Sequence, residues 1–155
     1  MKITVIDRPP VRVTCRRYSG PFGEPLVRFW RATVTPWLAE HGLLDCPRYG
    51  LPLDDPGATA ADHCRYDACV ALPAGLGLAG TAETIIPGGR YAVTHFKGTG
   101  AQIPAAWADF MREVQADPAN RFDSRRQPFE HYPRGALFDT RTGVFRCELC
   151  LPVTN

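Results

Sequence analysis

Gly89-Arg90-Tyr91-Ala92-Val93-Thr94-His95-Phe96-Lys97, then Gly98-Thr99-Gly100, then Ile103, Trp107, Phe110, Met111 and Val114 at helical spacing, is the stretch that decides the fold. Its β-branched and aromatic run reads as a strand, the two glycines as a turn, and the spaced apolar residues as an amphipathic helix that Pro118 ends. Downstream, Pro128-Phe129-Glu130-His131-Tyr132 reads as a short strand and Gly143 to Val153 as a long one. The same order lies upstream. Val11 to Arg17 alternates as a strand, and Tyr18-Ser19-Gly20-Pro21-Phe22-Gly23 is a turn. Leu26, Phe29, Trp30, Val34, Trp37 and Leu38 then mark a helix that Pro36 should kink or interrupt. Arg48 to Pro52 is a short strand, Asp54-Asp55-Pro56-Gly57 a turn, and Cys64 to Leu72 a second long strand. Pro73 to Gly80 joins the halves.

Residues match along with order: Val13-Thr14 with Val93-Thr94, Trp30 with Trp107, and Asp67 and Cys69 with Glu148 and Cys150 at one common offset. The expectation is one α+β domain over residues 1–155, made of two pseudo-symmetric β-α-β-β repeats, about 11–73 and 84–153, with an antiparallel sheet. A chain of 155 residues can bury a sizeable core.

The net charge is +2, with basic residues scattered apart from Arg16-Arg17 and Arg125-Arg126, which argues against a nucleic-acid-binding stripe. Met1 to Arg8 lacks the pattern of a secretory signal, and no apolar run reaches a membrane-spanning length, so a cytoplasmic protein without a membrane partner is expected. Cys15, Cys46, Cys64, Cys69, Cys147 and Cys150 are then read as reduced, small hydrophobes. Cys147-Glu148-Leu149-Cys150 has C-x-x-C spacing, but in a strand residues three apart point to opposite faces and cannot share one zinc ion or one bridge. His41, His63, His95 and His131 have no partner at ligand spacing, so no metal or cofactor is expected.

Four stretches in order carry a resemblance over Val11 to Val153: Tyr18-Ser19-Gly20-Pro21-Phe22; Tyr49 to Pro56 with Cys64 to Val70; Ile86-Pro87-Gly88-Gly89-Arg90-Tyr91-Ala92-Val93; and Phe129-Glu130-His131-Tyr132. The chain resembles the GyrI-like small-molecule-binding domains, which include the DNA gyrase inhibitor protein and effector-binding domains of AraC-type and MerR-type regulators. The resemblance implies helices on one face of the sheet and a ligand cleft between the halves on the other. It also implies that Glu130 faces the ligand, meeting the charge of a lipophilic cation in multidrug-binding members. A DNA-binding domain finds no room in this chain, so a stand-alone version is expected.

Strand parity bears on the same residues. Glu130 and Tyr132 share one face of their strand, with Phe129 and His131 on the other. In the last strand Phe145, Cys147, Leu149 and Leu151 form an apolar face, opposite Arg146, Glu148 and Cys150. With the apolar face against the helices, Glu130, Tyr132 and Glu148 are expected in the cleft, with edges of Trp107 and Phe110 and with Tyr18 as a wall. Aromatic rings with a carboxylate suit an organic cation. Three functions follow as expectations: a binder that senses or sequesters a hydrophobic cationic or toxic compound; a hydrolase of cyclopropane-bearing DNA-alkylating natural products, as some family members are, with Glu130 as general base and Tyr132 as donor; and, ranked last, an inhibitor acting on DNA gyrase.

Overall fold

The computed structural model describes residues 1–136 and 138–154; Leu137 and Asn155 lie outside the described residues. Among the described residues nine strands and three α-helical segments follow one another as β1 (Thr4–Arg8), β2 (Val11–Ser19), α1 (Glu24–Phe29), α2 (Thr35–Glu40), β3 (Arg48–Pro52), β4 (Arg65–Ala71), β5 (Glu83–Ile86), β6 (Gly89–Gly98), α3 (Ile103–Ala116), β7 (Arg121–Phe122), β8 (Phe129–Tyr132) and β9 (Phe145–Thr154). Eight strands run in the order β1-β6-β9-β8-β3-β4-β2-β5, and β7 adds to the end of β9. Every pairing is antiparallel.

The order reads the same from both ends. On either side of the β8·β3 seam stand a short strand, a long one, the strand that opens the half, and one borrowed strand. β1 pairs with β6 of the second half, and β5 pairs with β2 of the first. β1 and β5 were not expected from the sequence. β5 is exposed at its first three residues and shows no alternation.

Pro36 acts as its chemistry requires. It has no N–H to continue the helical ladder, and the turn before it, Trp30–Val34, is a π-helix closed by the Thr35 N–H to the Trp30 carbonyl. The Thr35 hydroxyl donates to the same carbonyl at 2.9 Å. α1 and α2 therefore form one widened helix rather than a sharp kink.

Both faces of the sheet are buried. On the helix side, Leu26, Val34, Trp37 and Leu38 pack on Tyr66, Ala68 and Val70. Ile103, Phe110 and Val114 pack on Phe96, Cys147, Leu149 and Leu151. On the helix-free side, Val13, Tyr49, Leu51, Tyr91, Val93, Phe129 and Cys150 make a third cluster inside the curl of the sheet. Cys147 and Cys150 thus belong to opposite sides, as parity requires. Burial pushes both thiols up, Cys150 to about 12.

One cysteine expectation is corrected. Cys15 and Cys69 are disulfide-bonded. They lie 54 positions apart, and the β2·β4 register sets them opposite each other with a Cα separation of 4.1 Å. The other four cysteines are free. No described helix is long and apolar enough to cross a membrane.

Candidate ligand site

A cavity of about 850 Å³ opens between the two helical layers and the sheet. That is within the range of small-molecule pockets, about 300–1,000 Å³. Leu26, Val27 and Trp30 of the first helix line one wall, and Ile103, Pro104, Trp107 and Met111 of α3 the other. Tyr66, Glu130, Tyr132 and Phe145 form the floor on the sheet. Each half contributes one helix and one tryptophan.

At the floor Glu130 is 4% exposed. Its Oε1 accepts from the Tyr66 hydroxyl at 2.6 Å and the Tyr132 hydroxyl at 3.0 Å; its Oε2 accepts from the Trp107 indole N–H at 3.1 Å. Behind Tyr66, the Trp30 indole N–H donates to the Tyr66 hydroxyl at 3.2 Å. The halves thus converge on one carboxylate, Trp107 directly and Trp30 through Tyr66. No described Lys, Arg or His lies within hydrogen-bond or ion-pair reach of it. Burial raises the Glu130 carboxyl above its ordinary range, while the bonds from Tyr66, Trp107 and Tyr132 act to lower it. Burial, with the Glu130 charge second, raises both tyrosines well above their usual value, so they stay protonated donors.

Gly50 makes room for this arrangement. It pairs with Glu130 across the seam, and a Cβ there would overlap the Tyr66 ring and approach Glu130 Oε1 at 2.6 Å. The Tyr66 hydroxyl, with the carboxylate beside it, occupies the volume that a side chain on β3 would take.

Asp54, Arg125 and Arg126, which also line the cavity, are ion-paired. Asp54 receives the Arg65 guanidinium at 2.9 and 3.1 Å. Asp123 holds Arg125 and Arg126, each at 2.9 Å, and those bonds draw its carboxyl well below the usual range.

The structure brings Glu130, Tyr132 and Trp107 together and sets three other expected residues apart. Glu148 does not line the cavity. β8 pairs with β9 so that Leu149 is opposite Glu130, and Glu148 opposite His131. Glu130 and Tyr132 therefore share the apolar, helix-bearing side of β9, and the cavity lies on the side of the helices, not on the other face. Parity within each strand holds; the register between them, where one residue flips every side chain, decides the outcome. On the helix-free side Glu148 Oε1 accepts from Arg8 at 2.7 Å and sits 2.6 Å from His131 Nδ1. Burial acts to raise the Glu148 carboxyl, but His131 and Arg8 hold it below its ordinary range. Phe110 is fully buried beneath Trp107, 6.0 Å between ring centroids, and packs the core. Tyr18 donates its hydroxyl to the Pro21 carbonyl at 2.7 Å and packs tilted against Phe29, 5.2 Å between ring centroids, outside the cavity. Tyr66, Trp30 and Gly50 were missed as parts of the site. The available signal was that Tyr66 shares the inward parity of Ala68 and Val70. Among the described residues no three His, Cys, Asp or Glu cluster as a metal site.

A family model for the GyrI-like small molecule binding domain matches residues 1–154. The chain belongs to that family. It is 26% identical over 155 residues to YosT, an SPbeta prophage-derived protein of Bacillus subtilis, covering 99% of each chain. To a DNA gyrase inhibitor of Pectobacterium carotovorum it is 30% identical over 120 residues, covering 75% of this chain and 77% of that one. SAV2435, solved bound to tetraphenylphosphonium, shares the fold with a TM-score of 0.67 at 14% identity, over 100% of this chain and 95% of the other. GyrI-like membership and the α+β fold with its antiparallel sheet agree with the expectations from sequence.

Proposed function

We propose that this GyrI-like domain binds a lipophilic organic cation in the aromatic cavity, with Glu130 as its counter-charge, and so senses or sequesters such compounds. One observation carries this reading: a buried carboxylate held by three neutral donors, with no cation beside it, on the floor of a cavity lined by Trp30, Trp107, Tyr66 and Tyr132. A buried charge ordinarily has a partner. Here the rings offer area and cation–π attraction, and the missing positive charge is left to the ligand. The tetraphenylphosphonium bound by SAV2435 is a suitable probe. At 100 times its dissociation constant it should stabilise the fold by about 2.7 kcal/mol, and Trp30 and Trp107 should report it by fluorescence. Glu130→Gln should fold and lose most of the affinity; equal affinity in the variant would remove the basis of the reading.

A second reading rests on the same carboxylate. Oε2 accepts one hydrogen bond where Oε1 accepts two, and burial makes the group more basic. As general base, Glu130 would take a proton from the water whose oxygen attacks a strained cyclopropane carbon, while the opening ring is protonated from solvent. Mass spectrometry separates the readings: a bound compound gaining one water over time supports hydrolysis, and an unchanged compound supports binding alone. A protein that binds no cation and hydrolyses nothing, yet inhibits supercoiling, would return the function to gyrase.

A further inference from the structure

A second, smaller cavity of about 90 Å³ shares Val27, Trp30, Tyr132 and Phe145 with the first and lies towards the start of β3. Its remaining lining is of opposite character: Arg31 and Arg48 contribute two guanidinium groups, and among the described residues no carboxylate lines it. Arg48 projects from β3 on the helix side, opposite Tyr132, and is largely withdrawn from solvent. Among the described residues its five N–H donors find one acceptor, the Ala136 carbonyl, in a 3.4 Å bond. Burial lowers its pKa, the nearby Tyr132 phenol acts the other way, and no carboxylate is among the causes. Arg31 is steered to the same cavity by its guanidinium carbon lying 4.9 Å from the Phe138 ring centroid. The Thr35 and Tyr132 hydroxyls spend their protons on the Trp30 carbonyl and on Glu130, so the two arginines are the donors that face the cavity.

We propose that this cavity is an oxyanion subsite, holding a carboxylate or phosphate group between Arg48 and Arg31. Its volume of about 90 Å³ is about a tenth of that of the first cavity, which suits one small polar group rather than a whole lipophilic ligand. Arg48 supplies the fork that pairs two-pronged with an oxyanion, and the anion supplies the negative charge that this half-buried guanidinium lacks among the described residues. The subsite does not depend on Glu130 binding a cation. The two cavities share the Trp30–Tyr132 ring pair, 5.6 Å between centroids, so an occupant of either touches the same rings.

The test titrates the protein with sodium benzoate and with inorganic phosphate at fixed ionic strength, sodium chloride as control, reading thermal stability and tryptophan fluorescence. Saturable stabilisation by either anion is expected. A response to both assigns a general oxyanion site, and a response to benzoate alone assigns the carboxylate of an organic ligand. Arg48→Met should weaken binding about tenfold or more, the loss of a two-pronged charge-assisted pairing, with partial rescue in Arg48→Lys. If Arg48→Met fails to fold, the exposed Arg31→Ala decides, with a weakening of several-fold. Glu130→Gln should bind the anion at least as tightly as the wild type does, because it removes a negative charge that lies one hydrogen bond from the subsite wall at Tyr132. No response beyond the chloride control, an undiminished response in the arginine variants, or its loss in Glu130→Gln would overturn the assignment.

Discussion

Removing the hydroxyl of Tyr66 tests how the site holds its charge. In Tyr66→Phe, Glu130 Oε1 loses its shortest donor, at 2.6 Å, and keeps Tyr132. A hydrogen bond to a charged group contributes about 1.5–3 kcal/mol, and this one favours the ionised carboxylate. At about 1.36 kcal/mol per pKa unit the Glu130 carboxyl should rise by about 1–2 pH units above its already raised position. A raised carboxyl favours folding while it is neutral. That contribution is fully present below the ordinary Glu range and is lost as pH rises through the folded value. Cation binding has the opposite sign, because it needs the ionised form. Tetraphenylphosphonium affinity should therefore fall on acidification, about tenfold per pH unit below the midpoint, and Tyr66→Phe should move that midpoint upward by about 1–2 pH units. At high pH the variant should approach wild-type affinity. Fluorescence titrations across a pH series measure this directly. The variant also strands the Trp30 N–H, at a cost of about 1–3 kcal/mol, which urea unfolding measures separately. A midpoint that does not move, with the fold intact, would refute the claim that these donors set the charge of Glu130.

Other substitutions probe the surroundings. Gly50→Ala should destabilise by about 1–3 kcal/mol through overpacking and weaken cation binding, because its Cβ displaces Tyr66 and crowds Glu130; urea unfolding and ligand titration report each effect. Phe110→Ala should cost about 3–5 kcal/mol in unfolding free energy while the folded fraction keeps its cation affinity, since the ring packs the core and does not line the cavity. Glu148→Gln should leave tetraphenylphosphonium affinity unchanged while removing stability that the wild type loses as pH falls through the depressed Glu148 value; acid-unfolding curves show the difference. Reducing the Cys15–Cys69 link should lower stability by about 2–4 kcal/mol, from the chain loop it closes, measured by urea unfolding with and without reductant.

Local rules in the chain reach a definite depth. The alternation of Phe145 to Leu151 and of Phe129 to Tyr132 assigns each side chain to a face, and Pro36 marks where the first helix departs from regular α geometry, because these signals lie within one element. Relations between elements are not written locally. Glu130 meets Leu149 rather than Glu148 because of a register set between strands joined through a loop. Cys15 meets Cys69 across a ladder far apart in sequence. Tyr66 looked like one more inward residue of β4, and only the bare backbone of Gly50 opposite Glu130 turns its hydroxyl into a ligand of the carboxylate. The edge strands β1 and β5 were hidden for a related reason: pairing on one side and a mostly exposed surface leave little apolar pattern to read.

The exchange of first strands has a mechanical consequence. Two lobes joined by a single seam can swing open as a hinge. Here any such swing would have to tear five residue pairs of β1·β6 and four of β2·β5 along with the seam itself. The sheet is in effect buckled at both ends. A large guest must therefore be admitted by yielding of the helical roof, where the backbone is already widened at Trp30–Val34, while the floor that carries Glu130 stays fixed.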